Sequence, residues 1–507
     1  MKPLVVFLSL FVVLVSSFAA EQRPPNILFA IADDWGAHAG AYGTPWVKTP
    51  AFDRIAKEGL LFTRAYTPVA KCAPSRAIVI TGRYAWQNEE AGNHMAYFPA
   101  KLKSWPEVLM EKGWNMGITG KGWGPGDFKL EGRTRNPAGP SFDTEKSNPP
   151  ASGISKNDYS ANFAKFMEQR DAKKPFCFWM GFTEPHRAYE LNSGVRLGKK
   201  LSDVTVPGYF PDNDTIRGDL ADYSIEVEWA DSHIGKALAL LEKQGILDDT
   251  LVVVTSDHGM PFPRVKGQLY EDGYHLPLAM RWGKGIKPGR VVEDFINVRD
   301  FAPTYLELAG LPVHEQMSGK SLVNILSSEK SGFIEDRKVM LAGKERHDIG
   351  RPNDWGYPVR TIRTTEFFYS HNYHPERWPA GNPETGYRNC DASPTKDWIL
   401  ENKGPFYDLA FAYRAEEELY DIVKDPECLK NLATDPKFAA IKKELREKME
   451  GILKEEKDPR ALGNEAIFDT YKYLGGRKGK GYAEWEAAQK GQPLPEEPKK
   501  KKGKKQE

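Results

Sequence analysis

The 507-residue chain has little of several features that mark other classes of protein. Its four cysteines are too few and too scattered for the disulfide framework of a small secreted domain. Lysine plus arginine total 71 against 70 for aspartate plus glutamate, so the overall charge gives no case for a nucleic-acid partner. Beyond the N-terminus no apolar run is long enough to cross a bilayer. No internal repeat is visible, and the length favours one large domain plus a smaller one.

The N-terminus departs from the rest of the chain. A positive Lys2, an apolar run from Leu4 to Val15 and the small-x-small pattern Ser17-Phe18-Ala19 predict a secretory signal peptide over residues 1–20. The alternative is a retained membrane anchor, which the run disfavours because a span needs roughly 20 apolar residues. A signal peptide indicates export, to the periplasm or the medium. The single glycosylation sequon, at Asn213, favours a bacterial protein over a lysosomal one.

The C-terminus is basic. Six lysines stand between Lys499 and Lys505, after a stretch rich in proline and glutamate. Such a block cannot bury apolar surface, so it predicts a disordered tail. The tail is either simply solvated or an electrostatic tether to an acidic polymer or surface.

Between these ends, short apolar runs alternate with helical patterns, which is typical of an α/β fold with a mostly parallel sheet. After about Leu326 the pattern changes to that of a small antiparallel sheet followed by an amphipathic helix. We therefore expect a catalytic unit over 22–335, a smaller α+β subdomain over 336–460, and a weakly patterned region over 461–507. The predicted strands are 26–32, 116–119, 176–182, 251–257, and two or more within 359–373 and 416–425; the predicted helices are 51–58, about 219–243, 299–309 and 438–456.

Two acidic clusters follow predicted strands directly. Asp33 and Asp34 end the first strand, and Asp257 and His258 follow the strand at 251–257. Each pair alone is more typical of a turn or a helix cap. Because α/β sheets place ligands at the carboxyl ends of strands, the two pairs together predict one metal site with hard oxygen ligands and an imidazole.

The stretch KCAPSRAIVITGR at 71–83 raises a question about its cysteine. Cys72 is open to four interpretations: a buried apolar residue, half of a disulfide, a thiolate nucleophile, or a cysteine that is modified. Cys177 lies in an apolar strand and is expected to be a packed free thiol, whereas Cys390 and Cys428 either pair or stay free.

The motif Cys72-Ala73-Pro74-Ser75-Arg76, with Thr81-Gly82-Arg83 after it, resembles the signature of type I sulfatases. In that family the cysteine is oxidised to Cα-formylglycine by a formylglycine-generating enzyme. The resemblance extends over nearly all of the chain after the signal, and it implies an alkaline-phosphatase-like fold and a sulfated saccharide as substrate. The segments 184–189, 206–223 and 256–270 are most similar to the heparan N-sulfatase (sulfamidase) branch.

The resemblance also implies roles for individual residues. Residue 72, as the hydrated aldehyde, is the nucleophile, because its second hydroxyl allows sulfate to be expelled, which a serine does not offer. Positive groups are needed around the sulfate oxygens. By this resemblance the metal ligands are Asp33, Asp34, Asp257 and His258, the catalytic residues are Cys72, Arg76, Lys121, His186 and Lys266, and residues that reach the sugar from the smaller unit are His347 and Arg360. His233, in the long helix, is interpreted as structural.

Two positions depart from the family pattern. Many sulfatases read Gly-Lys-x-His, where this chain has Trp123 in place of the histidine that is credited with aiding sulfate release. Another base must therefore act, or the role is unnecessary here. His258 stands where many members have asparagine, which leaves Ca²⁺ as the expected ion, with Mg²⁺ and Mn²⁺ as alternatives.

Two other functions compete with a sulfatase. A formylglycine-dependent phosphonate or phosphodiester hydrolase shares the same layout of metal and nucleophile, but the segment 261–270 favours the sulfatase. A non-catalytic binder of sulfated glycans, held by its lysine tail, conflicts with an intact cysteine motif.

Overall fold

The structure is a computed structural model that describes residues 23–474 and 481–493. The predicted signal peptide and the lysine-rich tail lie outside the described residues. Over the part that is described, no helix combines the length and the apolar character needed to cross a bilayer.

The secondary structure alternates strands and helices along most of the chain. The strands are β1 (Asn26–Ala32), β2 (Leu60–Phe62), β3 (Ala65–Tyr66), β4 (Ala96–Tyr97), β5 (Asn115–Gly120), β6 (Gly126–Asp127), β7 (Phe176–Gly181), β8 (Thr250–Ser256), β9 (His275–Leu276), β10 (Leu278–Arg281), β11 (Arg290–Val292), β12 (Ile296–Asn297), β13 (Met340–Lys344), β14 (Val359–Arg363), β15 (Phe367–Asn372) and β16 (Glu417–Asp421).

The helices flank these strands. The α-helices are α1 (Pro50–Glu58), α2 (Cys72–Thr81), α3 (Trp105–Glu111), α4 (Tyr159–Gln169), α5 (Ser193–Arg196), α6 (Asp214–Lys243), α7 (Glu271–Tyr274), α8 (Phe301–Leu308), α9 (Val323–Ser327), α10 (Pro394–Asn402), α11 (Pro405–Ala410), α12 (Ala439–Glu455), α13 (Ile467–Thr470) and α14 (Tyr482–Gln489). Short 3₁₀ helices span Gly40–Tyr42, Ala85–Gln87, Glu89–Gly92, Leu201–Asp203, Val298–Asp300, Pro352–Asp354, Pro383–Thr385 and Pro436–Phe438.

A seven-stranded sheet in the order β11-β2-β10-β8-β1-β7-β5 is the centre of the molecule. It is parallel except for β10, which runs antiparallel to β2 and β8. β1 lies between β7 and β8, and helices cover both faces of the sheet there, which explains its unbroken apolar run. The register pairs Ala32 with Ser256 and Ile31 with Gly181, so these three strands end at one edge.

Alternate residues of β1 pack into two separate cores. Leu28 and Ala30 pack with α1, α4 and α6 on one face, whereas Ile27 and Phe29 pack with α2, α3 and α8 on the other. This is the alternation that strand geometry imposes. The predicted α/β class, with helices on both faces of a mostly parallel sheet, is confirmed.

A second sheet is antiparallel throughout, in the order β13-β14-β15-β16. The amphipathic α12 covers one of its faces, with Leu445, Met449 and Leu453 buried against Ile362 and Tyr369. The predicted small antiparallel sheet and the helix after it are therefore present.

Residues 462–474 and 481–493 have more regular structure than their composition indicates. The sequence predicts no helix or strand there, but α13 and α14 both form. The segment attaches to the rest of the molecule by backbone hydrogen bonds, from Leu474 N–H to the Met95 carbonyl at 3.0 Å and from Tyr482 N–H to the Ile349 carbonyl at 3.0 Å. These contacts bring α14 beside the edge of the main sheet where β1, β7 and β8 end.

Candidate active site

Four buried side chains meet where β1 and β8 end. Asp33 and Asp34 follow β1, and Asp257 and His258 follow β8. Asp34 has a φ of 76°, a left-handed conformation that is uncommon for a residue other than glycine, and it turns the chain so that neighbouring carboxylates reach one place. One ligand atom each from Asp33, Cys72, Asp257 and His258 lies within 4.8 Å of the others.

This cluster, which we call the acidic corner, has the chemistry of a cation site. Asp33 Oδ1 is buried and accepts no hydrogen bond from any described residue. Asp34 Oδ1 lies 2.8 Å from His258 Nε2. Burial, together with the charge of Asp33, raises the pKa of Asp257 to about 7, because packed carboxylates repel one another without a cation. An orphaned carboxylate oxygen and crowded anionic oxygens fit a divalent ion such as Ca²⁺.

Cys72 begins α2 at the side of the acidic corner. Its side chain is buried, and its sulfur lies 3.4 Å from His258 Nε2. Burial and Asp33 oppose ionisation, but Lys121 and Lys266 outweigh them and hold the pKa of the Cys72 thiol well below its ordinary value. All four cysteines are free and buried, so Cys72 is not half of a disulfide and Cys390 and Cys428 do not pair. The charged side chains around Cys72 also argue against the interpretation of Cys72 as a buried apolar residue.

Arg76 lies one helical turn after Cys72 and is fully buried. Its Nε donates to Asp257 Oδ2 at 2.7 Å, and its terminal nitrogens donate to the carbonyls of Lys121 at 2.7 Å and Ala32 at 3.1 Å. The guanidinium therefore ties α2 to the ends of β1, β5 and β8. This holds Cys72 at a fixed position relative to the acidic corner.

Two lysines reach the corner from other elements. Lys121 follows β5 and contacts the Asp33 carboxylate, and Lys266 Nζ lies 2.6 Å from Asp34 Oδ2 and 2.7 Å from Asp391 Oδ2. Gly120, with φ of 71°, sets the path of Lys121, because a Cβ there would lie 2.2 Å from the Gly181 carbonyl oxygen. The lysines supply the positive charge that an anionic group in this site requires.

His186 lies on the loop after β7. Its Nδ1 is 2.6 Å from the carbonyl oxygen of Arg187, so Nδ1 carries the proton of that hydrogen bond and Nε2 is left for other partners. The neighbouring Arg187 forms a bidentate pair with Asp219, at 2.7 and 2.8 Å, which fixes the loop. One ligand atom each of His186, Asp34 and Asp391 lies within 4.8 Å of the others.

These residues open into one large cleft of about 1290 Å³. Of the predicted site residues, those that line it are Asp33, Cys72, Lys121, His186 and Lys266. Asp34, Arg76, Asp257 and His258 are buried behind that lining, in contact with it. The structure therefore brings together nine of the eleven predicted residues.

The two remaining predictions are not supported. Arg360 lies in β14 with its guanidinium buried, bound to both Asp458 oxygens at 2.7 and 3.0 Å and to Glu345 at 2.8 Å. Because these carboxylates occupy it fully, Arg360 does not reach a sugar in the cleft, which corrects the expectation from the sequence. His347 is also buried and absent from the cleft lining; burial and the nearby Lys344 keep its pKa well below the ordinary value.

Other lining residues were not predicted. They include His94, Asp348, Arg388, Asp391 and Trp485. Asp348 directly follows His347, so the stretch 343–348 reaches the cleft lining through a residue other than the predicted one. His94, Arg388 and Asp391 are isolated polar residues in loops, where nothing local distinguishes them. His233 lies in α6 with its Nδ1 3.0 Å from the Ser160 hydroxyl, and it is not part of the cleft lining.

Comparisons with known proteins identify the family to which the chain belongs. A family model described as Sulfatase matches residues 25–311, more than half of the chain. Human N-sulphoglucosamine sulphohydrolase is 29% identical over 498 residues, which cover 89% of this chain and 94% of the relative. An ulvan-active sulfatase of Formosa agariphila is 29% identical over 450 residues, covering 87% and 82%.

The fold agrees as well. A solved structure, described as a complex with its substrate D-glucosamine-2-N,6-O-disulfate, matches with a TM-score of 0.65 and 22% identity. The match covers 86% of this chain and 99% of that one. At this identity the likeness shows the fold, which is the predicted alkaline-phosphatase-like arrangement.

Proposed function

The chain belongs to the sulfatase family and is a sulfuric ester hydrolase. On this premise we propose that it is an exported enzyme that removes sulfate, as an O-sulfate ester or an N-sulfate, from a sulfated carbohydrate. Formylglycine at residue 72 and one divalent cation complete the site. The observation that carries the proposal is the position of Cys72: at the start of α2, buried beside the acidic corner and at the base of a cleft with two lysines.

The acidic corner would hold the cation. Asp33, Asp34, Asp257 and His258 supply the ligand atoms, and Ca²⁺ suits so many carboxylate oxygens, with Mg²⁺ or Mn²⁺ as alternatives. Bound there, the ion supplies positive charge to sulfate oxygens and to the hydroxyls of residue 72. It would also relieve the repulsion that raises the pKa of Asp257.

The side chains around the cleft then have separate tasks. Lys121 and Lys266 bind the outer sulfate oxygens, whose negative charge grows during attack on sulfur. Arg76 orients residue 72 through the fixed position of α2. His186 holds its Nδ1–H on the Arg187 carbonyl, so a proton on Nε2 is directed to the leaving oxygen or nitrogen of the sugar.

The cleft favours a saccharide as the substrate. Its volume of about 1290 Å³ exceeds the volume of most small-molecule pockets, and its lining is polar and charged. Arg388 lines it, and no described residue forms an ion pair or hydrogen bond with its guanidinium, so it is free to bind a second acidic group of the sugar. Trp485 of α14 lies on the same wall and offers a flat apolar surface to a sugar ring.

The test is to make the protein with and without a formylglycine-generating enzyme and to assay both forms. Peptide mass spectrometry should find the aldehyde or its hydrate at residue 72, and the converted form should release sulfate from heparin-type or algal saccharides. Cys72→Ala should retain the fold, by circular dichroism, and lose all turnover.

Two outcomes would contradict the proposal. Full conversion of residue 72 with turnover of phosphonate or phosphate diesters but of no sulfate would favour the phosphorus-ester hydrolase. Unconverted Cys72, under conditions that convert a control sulfatase, with retained binding of sulfated glycans, would favour a binding protein. Export is tested separately, by N-terminal sequencing of the secreted chain.

A further inference from the structure

A histidine–aspartate pair lines the cleft together with Cys72, apart from the acidic corner. His94 lines the cleft, and its Nδ1 lies 3.3 Å from Asp348 Oδ1. The other oxygen of Asp348 lies 3.1 Å from Nζ of Lys71, the residue directly before Cys72. Asp348 therefore joins His94 to the start of α2.

The pair is held by its backbone as well as by its side chains. The His94 N–H donates to the Arg346 carbonyl at 3.2 Å, and the Arg346 N–H donates to Asn93 Oδ1 at 3.1 Å. Reciprocal hydrogen bonds thus lock the loop that carries His94 to the loop that carries Asp348. Both side chains are mostly buried, with exposures of 12% and 14%.

The electrostatics agree with a contact between His94 and residue 72. Burial alone would lower the pKa of His94, but the Asp348 carboxylate and a hydrogen bond with Cys72 raise it above the ordinary value. With Nδ1 turned to Asp348, that nitrogen carries the proton in the neutral ring. Nε2 is then the proton acceptor.

The other described side chains near Cys72 that could accept a proton are already assigned, and the free carboxylate oxygen of Asp33 belongs to the acidic corner. Trp123, at the position of the usual family histidine, is buried against Phe98 with ring centroids 5.1 Å apart, and an indole only donates. Nε2 of His258 lies 2.8 Å from Asp34 inside the acidic corner. His186 belongs to the loop that faces the leaving group.

We propose that His94 is the base that acts on residue 72 during sulfate release, with Asp348 as its positioning residue. The inference rests on the proposed function, since it requires a hydroxyl on residue 72. In this step the free hydroxyl of sulfated residue 72 loses its proton to Nε2 of His94, and the electron pair of the broken O–H bond forms the C=O bond of the aldehyde. The bond between that carbon and the sulfate oxygen breaks, and sulfate leaves with the electron pair of that bond. Asp348 stabilises the resulting imidazolium, and the proton then leaves to water in the cleft.

The test separates two steps: release of the leaving group, here nitrophenol in place of the sugar, and release of sulfate. With 4-nitrophenyl sulfate, the His94→Gln variant should release the first equivalent of nitrophenol as fast as the wild type. Its later turnover should be slower by about 100-fold, the lower range for loss of a general base. Mass spectrometry of the quenched enzyme should find sulfate retained by the variant protein and none retained by the wild type.

Two further variants guard against simple misfolding. Asp348→Asn keeps the shape of the side chain. It should leave the first release of nitrophenol unchanged and slow the later turnover, by less than His94→Gln does. Added imidazole should restore turnover of His94→Ala, which a structural defect would not allow. The matched control is the pair His374 and Glu376, 2.8 Å apart and not among the cleft-lining residues, where His374→Gln should leave both rates unchanged.

The inference is overturned if the His94→Gln variant releases nitrophenol and sulfate more slowly by the same factor and retains no sulfate. It is also overturned if both release rates are unchanged. In either case the wild type still hydrolyses sulfate esters, and the proposed function stands. If the wild type with confirmed formylglycine hydrolyses no sulfate ester or sulfamate, the proposed function fails and the inference fails with it.

Discussion

Single residues at the active site are charged, buried and mutually dependent. Asp33 illustrates this, because one of its oxygens meets Lys121 while the other is buried without a hydrogen bond from any described residue. A buried anionic oxygen in that state is costly unless a cation is bound. Lys121 and, at 3.8 Å, Arg76 offset the charge of Asp33, and under the proposed function a bound cation would satisfy its free oxygen.

The corresponding prediction concerns the Asp33→Asn variant. The amide keeps the shape but removes one negative ligand, so we expect Ca²⁺ affinity to fall at least about tenfold, the range seen when the groups that support a metal are altered. Isothermal titration of the chelator-treated protein measures it. Asp249→Asn, at an exposed ion pair with Lys284, is the control and should bind Ca²⁺ as the wild type does. Equal affinity in all three proteins would contradict the site.

Arg388 gives a second prediction at this scale. If its guanidinium binds a second acidic group, Arg388→Ala should raise KM about tenfold, or about 1.4 kcal/mol, for saccharides with a second sulfate or a carboxylate. The kcat should be unchanged, and a substrate with a single sulfate should be unaffected. Comparing disulfated, uronate-containing and monosulfated saccharides identifies the group. Arg135→Ala, an exposed arginine outside the cleft lining, is the control.

The elements that build the site depend on contacts between helices as much as on strand order. The side chain of the N-cap residue of α1, Thr49, accepts no hydrogen bond from the backbone N–H groups of the helix. Instead Asp231 of α6 accepts from the Ala51 and Phe52 N–H groups at 2.9 and 2.8 Å. One helix is thus capped by a buried carboxylate from another.

We expect Asp231→Ala to destabilise the protein by about 1–3 kcal/mol, because two helix N–H groups lose their acceptor. Chemical denaturation measures it, and Ser232→Ala, at the exposed neighbouring position, should stay within about 0.5 kcal/mol of the wild type. Burial raises the pKa of Asp231 to about 7, so the folded state keeps a proton that the unfolded state has lost. The contribution of Asp231 therefore falls as pH rises from about 4 to about 7, and the alanine variant should lose that part of the pH dependence.

Elements with a regular pattern could be predicted from the sequence. The apolar runs gave β1, β7 and β8 to within a residue, and the 3.6-residue pattern gave α12. The start of α6 was placed five residues late, because its first turn is polar and its cap, Asn213, was not recognised. α14 was not predicted at all. Its sequence is short and polar, and it forms a helix through contacts with distant loops that no local pattern encodes.

The residues of the site also divide into those that a local pattern predicts and those that depend on tertiary contacts. Those within a motif or directly after a strand lie where they were expected, because strand register carries them to one edge. His94, Arg388 and Asp391 come from loops whose positions depend on tertiary packing. Arg360 was misplaced because a cation suited to an anionic sugar is equally suited to buried carboxylates.

On the scale of the whole molecule, an ion cluster fastens the smaller sheet to the chain that follows α12. Arg360 of β14 lies between Asp458 and Glu345, and all three are at least nine-tenths buried. Removal of one partner leaves a buried charge unpaired.

Asp458→Ala should therefore destabilise the protein by about 3–5 kcal/mol, whereas Arg360→Met combined with Asp458→Ala should recover much of that loss. Thermal and urea unfolding measure both. Asp469→Ala, at an exposed and looser contact 3.8 Å from Arg346, is the control and should have little effect. A double variant no more stable than Asp458→Ala would contradict this account of the cluster.

The place of α14 beside the cleft has a consequence for biosynthesis. A ribosome delivers the residues of the acidic corner early, but it delivers Trp485 only after nearly the whole chain has been made. A product that ends prematurely at a nonsense codon just before α14 would contain the nucleophile and the ion ligands without this wall. Under the proposed function, such a product would bring a cleft without this wall to its saccharide, so we expect some of the last residues to be translated to affect how the substrate is held.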